Sequence, residues 1–137
     1  MRNALAASAV ILLTAACGAY HFPGGPPSPS PDSAHVSGSV RSVPCAPVEQ
    51  VGQTCAGRPV PSLEIDYLLG TTVAKRTTTD SKGAYTVDLK VPGTYTVKFN
   101  TYMRVVSGAT KLELTGPGNL TVIYLLDNGI RVPAPQQ

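Results

Sequence analysis

Residues 79–100 read Thr79-Asp80-Ser81-Lys82-Gly83-Ala84-Tyr85-Thr86-Val87-Asp88-Leu89-Lys90-Val91-Pro92-Gly93-Thr94-Tyr95-Thr96-Val97-Lys98-Phe99-Asn100. Side chains of an extended chain point alternately to its two faces, so a strand with one buried face is apolar at every second position. Tyr85, Val87 and Leu89 alternate with Thr86, Asp88 and Lys90, and Tyr95, Val97 and Phe99 alternate with Thr94, Thr96 and Lys98. The pattern predicts half-buried strands over residues 84–90 and 94–100. Asp80 suits the opening of a turn, where its carboxylate bonds the backbone ahead, and Gly83 suits a position needing positive φ. Pro92-Gly93 reads as a type II turn, with proline presetting φ and glycine taking the left-handed place.

The same period extends outward. Residues 36–43 form a first expected strand. In residues 62–69, Leu63, Ile65, Tyr67 and Leu69 share the expected core face, and Glu64 and Asp66 the solvent face. Residues 71–79 are polar and Thr-rich, as an edge strand tolerates. Residues 111–115 put Leu112 and Leu114 on one side. Residues 120–126 are almost wholly apolar, which predicts a central strand buried on both faces. Gly116-Pro117-Gly118 and Asn128-Gly129 supply further reversals. Seven such strands, separated by turns at intervals of about ten residues, predict an all-β, Ig-like sandwich with no segment left for a helix.

Composition agrees. The chain has 137 residues, 13 Gly, 13 Pro, no Trp and 14% charged residues, which suits one domain of short strands. The stretch Thr79-Asp80-Ser81-Lys82-Gly83-Ala84-Tyr85, followed by Leu89 and Val91-Pro92-Gly93-Thr94-Tyr95-Thr96-Val97, resembles the carboxypeptidase regulatory-like domain family. That family has a transthyretin-like (prealbumin-like) β-sandwich. The resemblance covers residues 36–131 and implies an accessory module with a structural or binding role. Such a fold does not assign an activity.

Residues 1–16 carry one positive charge at Arg2, an apolar run over residues 4–13, and the small Ala15 and Ala16. These are the parts of a secretory signal peptide, and the run is too short for a helix that needs about 20 residues to cross a bilayer. Leu13-Thr14-Ala15-Ala16-Cys17 resembles the lipobox of bacterial lipoproteins, with Thr14 where that family usually carries an aliphatic residue. The resemblance implies a diacylglyceryl group, and a further acyl chain such as palmitate, on Cys17, and the paired chains anchor durably. An ordinary signal peptide with an incidental cysteine is the other reading. Residues 17–34 are rich in Pro, Gly and Ser and read as a disordered tether, reaching about 50 Å at about 3.1 Å per residue. The expected organisation is a signal peptide at 1–16, lipidated tether at 17–34, sandwich at 35–132 and tail at 133–137. The expected address is the outer face of the bacterial cytoplasmic membrane.

Export makes an oxidising compartment, and with Cys17 given to lipid, Cys45 and Cys55 remain as a pair. A disulfide between them closes a loop of about 11 residues and contributes somewhat under ~3 kcal/mol in the chain-entropy model. It serves as a structural clamp or stiffens a binding loop. Tyr102, Met103 and Arg104 form a candidate binding surface, or else cap the core. Nucleophilic catalysis needs a Ser, Thr or Cys beside a base, and His21 and His35 fall in or next to the tether. Glu64 and Asp66 form the one carboxylate pair on a strand, and a solvated face is their expected setting. No catalytic residue, metal or cofactor is expected. The Lys and Arg residues are scattered and the net charge is +3, which is no nucleic-acid footprint. Expected partners are the membrane and an envelope protein or glycan. A carrier of a small apolar ligand or carbohydrate is the alternative, and a hydrolase a remoter one.

Overall fold

The computed structural model describes residues 32–46, 52 and 54–130. These residues contain no helix and form β1 (Ser33–Val43), β2 (Arg58–Pro59), β3 (Glu64–Leu69), β4 (Thr72–Thr78), β5 (Ala84–Lys90), β6 (Gly93–Phe99), β7 (Arg104–Ser107), β8 (Lys111–Leu114) and β9 (Gly118–Asp127). The fold is a small β-sandwich. One sheet runs β2-β1-β9-β7 with β5 also paired to β1, and the other runs β4-β3-β6-β8. β9 lies parallel to β1 from Ala34↔Gly118 to Val43↔Asp127. That leaves the other edge of β1 to β5 and β2, end to end. All the expected strands are present. The additional β2 and β7 have 2 and 4 residues, too short to display a period.

Alternation is clean where both the turn and the register enforce it. β5 buries Tyr85, Val87 and Leu89, and β6 buries Tyr95 and Val97. The turn before β5 forms as its residues require: Asp80 Oδ1 accepts from the Lys82 and Ala84 amides at 2.8 and 2.9 Å, and Gly83 has φ +75°. Ser33 and Ala34, expected to end the tether, begin β1, and Ala34 is buried in the core.

Three expectations are corrected. Leu69, placed on the core face, is 44% exposed, as the last residue of β3 beside the hairpin turn. β9 is central, but only Val122, Tyr124 and Leu126 are buried, and Ile123 is 62% exposed. With neighbours on both edges it still presents one face to solvent, which apolar content alone does not reveal. Gly93 is not at positive φ, and the chain reverses through a cis Val91–Pro92 bond instead of a type II turn. A cis proline bends the chain without a left-handed residue.

Tyrosines organise the interior. The Tyr85 ring passes over Gly38 on the neighbouring β1, and its hydroxyl donates to Val122 O of β9 at 2.8 Å, tying three strands together. A Cβ on Gly38 would lie 1.8 Å from Val122 O, so no larger residue fits. Tyr95 crosses Gly93 and donates to Lys90 O at 2.7 Å, holding the β5–β6 crossing. Tyr124 crosses Gly108 and donates to Ala109 O at 2.7 Å. It also meets Phe99 edge-on, with ring centroids 4.8 Å apart. Tyr67 is the exception, because its fully buried hydroxyl makes no well-formed hydrogen bond to a carbonyl and has the Tyr85 hydroxyl as its polar neighbour. Burial raises the phenol pKa of Tyr67, Tyr85, Tyr95 and Tyr124 above the ordinary 10.

Candidate functional site

The registers define two ends of the sandwich. At the entry end β1 starts at Ser33, beside Lys90 of β5, and β9 starts at Gly118. The Val91 amide donates there to Asp32 O at 2.9 Å. The β3–β4 hairpin and the reversal at residues 115–117 lie at the same end. At the far end β1 and β9 finish at Val43 and Asp127, and β7 begins. Loops 44–46, 54–57 and 100–103 belong to this far end.

The cysteine loop is fastened there. Cys45 and Cys55 form a disulfide with Cα atoms 5.8 Å apart. The Gly57 amide donates to Cys55 Sγ at 3.3 Å, and Arg41 Nη1 donates to Gly57 O at 3.0 Å. Gly57 takes φ +84° and lies so close over β1 that a Cβ would come 2.8 Å from Arg41 Cβ. Sequence reading found the cysteines but missed Arg41 and Gly57. The one available signal was a glycine two residues after a half-cystine. Cys17 lies outside the described residues.

The three residues expected to form a binding patch separate. Tyr102 is 84% exposed, and Met103 packs against the core. Arg104 starts β7 and extends its guanidinium to 3.8 Å from Asp127 Oδ2. The Met103 amide donates to Thr101 Oγ1 at 3.3 Å, a local turn that turns Met103 inward and leaves Tyr102 at the tip. Beside this loop, Pro44, Cys45, Ala46, Arg58, Asn128 and Ile130 line a cleft of about 80 Å³. Asn128 braces it through Nδ2 donating to Pro44 O at 3.2 Å. The cleft is small beside the roughly 300–1,000 Å³ of a site that encloses a small molecule. A second hollow of about 560 Å³, near Pro92, Thr94 and Leu114, is open to solvent over most of its boundary.

Glu64 and Asp66 differ from the expected solvated pair. They share the outer face of β3, yet Asp66 is only 4% exposed. Arg76, opposite Asp66 in the register, donates Nε to Oδ1 at 2.5 Å and Nη2 to Oδ2 at 3.0 Å. Asn100 Nδ2 donates to Asp66 Oδ2 at 3.1 Å and to Glu64 Oε1 at 2.6 Å. These side chains cover the carboxylate from outside, which single-strand periodicity does not foresee. The Arg76 hydrogen bond holds the Asp66 pKa below the ordinary 3.8 against the opposing effect of burial. A proton-donating carboxyl needs the opposite shift. His35, in β1 and not in the tether, donates Nδ1 to Asp88 Oδ1 at 2.8 Å across strands. Among the described residues no group of three His, Cys, Asp or Glu side chains is arranged to hold a metal.

Comparison with protein-family models, with curated proteins and with solved structures found no match for this chain.

Proposed function

We propose that the protein is a non-catalytic, lipid-anchored module of the bacterial cell envelope, exported by residues 1–16 and acylated at Cys17. Its sandwich binds a protein or glycan partner through its far end. The observation that carries this reading is the opposition of the two ends. The chain enters at Ser33 at one end, and the disulfide-fastened loop and exposed Tyr102 lie at the other. A tether at the entry end holds the far end away from the bilayer, which is where an interaction surface is accessible. Exposed tyrosine is among the residue types that anchor interfaces. The resemblance of residues 79–97 to carboxypeptidase regulatory-like domains supports an accessory role.

Intact-mass measurement of the membrane-fraction protein tests the anchor. The expected mass is that of a chain starting at Cys17 with a diacylglyceryl group added, and it increases by two hydrogen atoms when the Cys45–Cys55 disulfide is reduced. A soluble chain with unmodified Cys17 would overturn it. Crosslinking in envelopes tests the surface: Tyr102→Ala is expected to lose a partner that the wild type captures, whereas Thr94→Ala, on the outer face of the other sheet, retains it.

A further inference from the structure

We infer that the tip of the β3–β4 hairpin inserts into the bilayer to which the chain is tethered, making the sandwich stand upright on its entry end. The inference rests on the lipid anchor proposed above. The hairpin turns through Gly70 and Thr71, with φ +61° at Gly70 and open space around it. Leu69 and Val73 flank the turn, each 44% exposed. Leu68 pairs with Val73 and Leu69 with Thr72, so apolar side chains leave both faces of the hairpin and form a wedge. Leu69 continues the core alternation of β3, but at the end of the strand it is left 44% exposed.

The position of the tether selects the occupant. Residues 17–32 connect the proposed lipid to the same end of the sandwich as the hairpin. Tethering raises the local concentration of membrane around that end, so a small apolar wedge suffices where it would fail in a free protein. Exposed Pro92 and Pro117 lie at this end and add apolar surface without unpaired amide donors. The strands that reach this end carry Lys75 and Lys90 together with Asp32 and Glu113, two charges of each sign, so the inferred contact is apolar and not an attraction to anionic headgroups. It therefore resists salt, which screens surface electrostatics.

The chain contains no Trp, so an introduced indole reports alone. Leu69→Trp and Val73→Trp are compared with Val106→Trp on β7, after circular dichroism verifies folding of the full-length products recovered from a lipoprotein-processing host. Each is reconstituted into phosphatidylethanolamine–phosphatidylglycerol vesicles with brominated acyl chains. The expected result is blue-shifted, bromine-quenched emission for Leu69→Trp and Val73→Trp, unchanged at high salt, and neither effect for Val106→Trp. Unshifted hairpin variants, equal shifts in all three, or a signal abolished by salt would overturn the inference. Intact mass of the same samples reads the anchor separately. With Cys17 acylated and the hairpin silent, the insertion fails alone. With Cys17 unmodified, the anchor fails and the tethered insertion is overturned with it.

Discussion

The interior of the sandwich and the outer face of the β4-β3-β6-β8 sheet both shield polar groups, by different means. Inside, Tyr85, Tyr95 and Tyr124 each cross a glycine and donate to a backbone carbonyl whose position the fold determines. Outside, Asp66 is covered by Arg76 and Asn100, side chains that themselves meet solvent. The interior therefore depends on backbone spacing and the outer cluster on charge. An unsatisfied group is costly in the first setting, whereas in the second water remains near to replace a lost partner.

Gly38→Ala should have the largest effect, because the added Cβ meets Val122 O at 1.8 Å and the clash involves backbone on two central strands. A loss of at least ~3 kcal/mol is expected, read as a fall of roughly 12–24 °C in the thermal midpoint. Survival without loss would mean that Tyr85 does not bind the strands as described. Tyr85→Phe keeps the ring and removes the bond to Val122 O, so chemical denaturation should show a loss of about 1 kcal/mol.

Acid and alkali should separate the two regions. Asp66 has a lowered pKa in the folded protein, with Glu64 of its own strand, Arg76 of β4, and Lys98 and Asn100 in and after β6 facing it. Its stabilisation is therefore complete above the unfolded value of about 3.8 and is lost as pH falls through the lower folded value. Wild type should lose stability more steeply over that acid range than Asp66→Asn, and parallel denaturation curves would contradict the account. For the buried phenols the sign reverses. Their raised pKa gives stability that is full below about 10 and lost as pH rises beyond it. Phenolate absorbance of Tyr67, Tyr85 and Tyr124 should consequently appear together with loss of the β-sheet dichroism.

The smallest effect belongs to Tyr67→Phe. Its buried hydroxyl has only the Tyr85 hydroxyl as a polar neighbour and no well-formed hydrogen bond, so removal should change stability by less than about 1 kcal/mol in either direction. A clear loss would point to an interior water or an additional bond from Tyr67. Because the Tyr67 and Tyr85 hydroxyls are neighbours, the double variant with Tyr85→Phe measures their coupling.

Much of this was legible from local pattern. The alternation in β5 and β6 and the Asp80–Gly83 turn depend on neighbours in sequence, whereas with three cysteines in the chain the Cys45–Cys55 pairing is shown by the structure. Tyr102 is exposed as a patch residue would be and Met103 packs on the core as a cap would, so the three residues divide between the two readings because the turn at Thr101 sends Met103 inward. Asp66 was placed on the correct face with the wrong exposure, since its cover comes from Arg76 and Asn100, 10 and 34 residues away. β2 is held by the cysteine loop and β7 by its pairing to β9, so neither short strand carries its own signal.

The sequence by itself determined an all-β chain and most of the inward residues of its regular strands, because these follow from a two-residue period and from composition. Only the tertiary structure decided that β1 and β9 run parallel, that Ile123 and Leu69 face solvent, and that Gly38 cannot bear a side chain. Those outcomes depend on which strands become neighbours. Tyr85 and Val122 are 37 residues apart in the chain and 2.8 Å apart in space, a distance that no local period encodes.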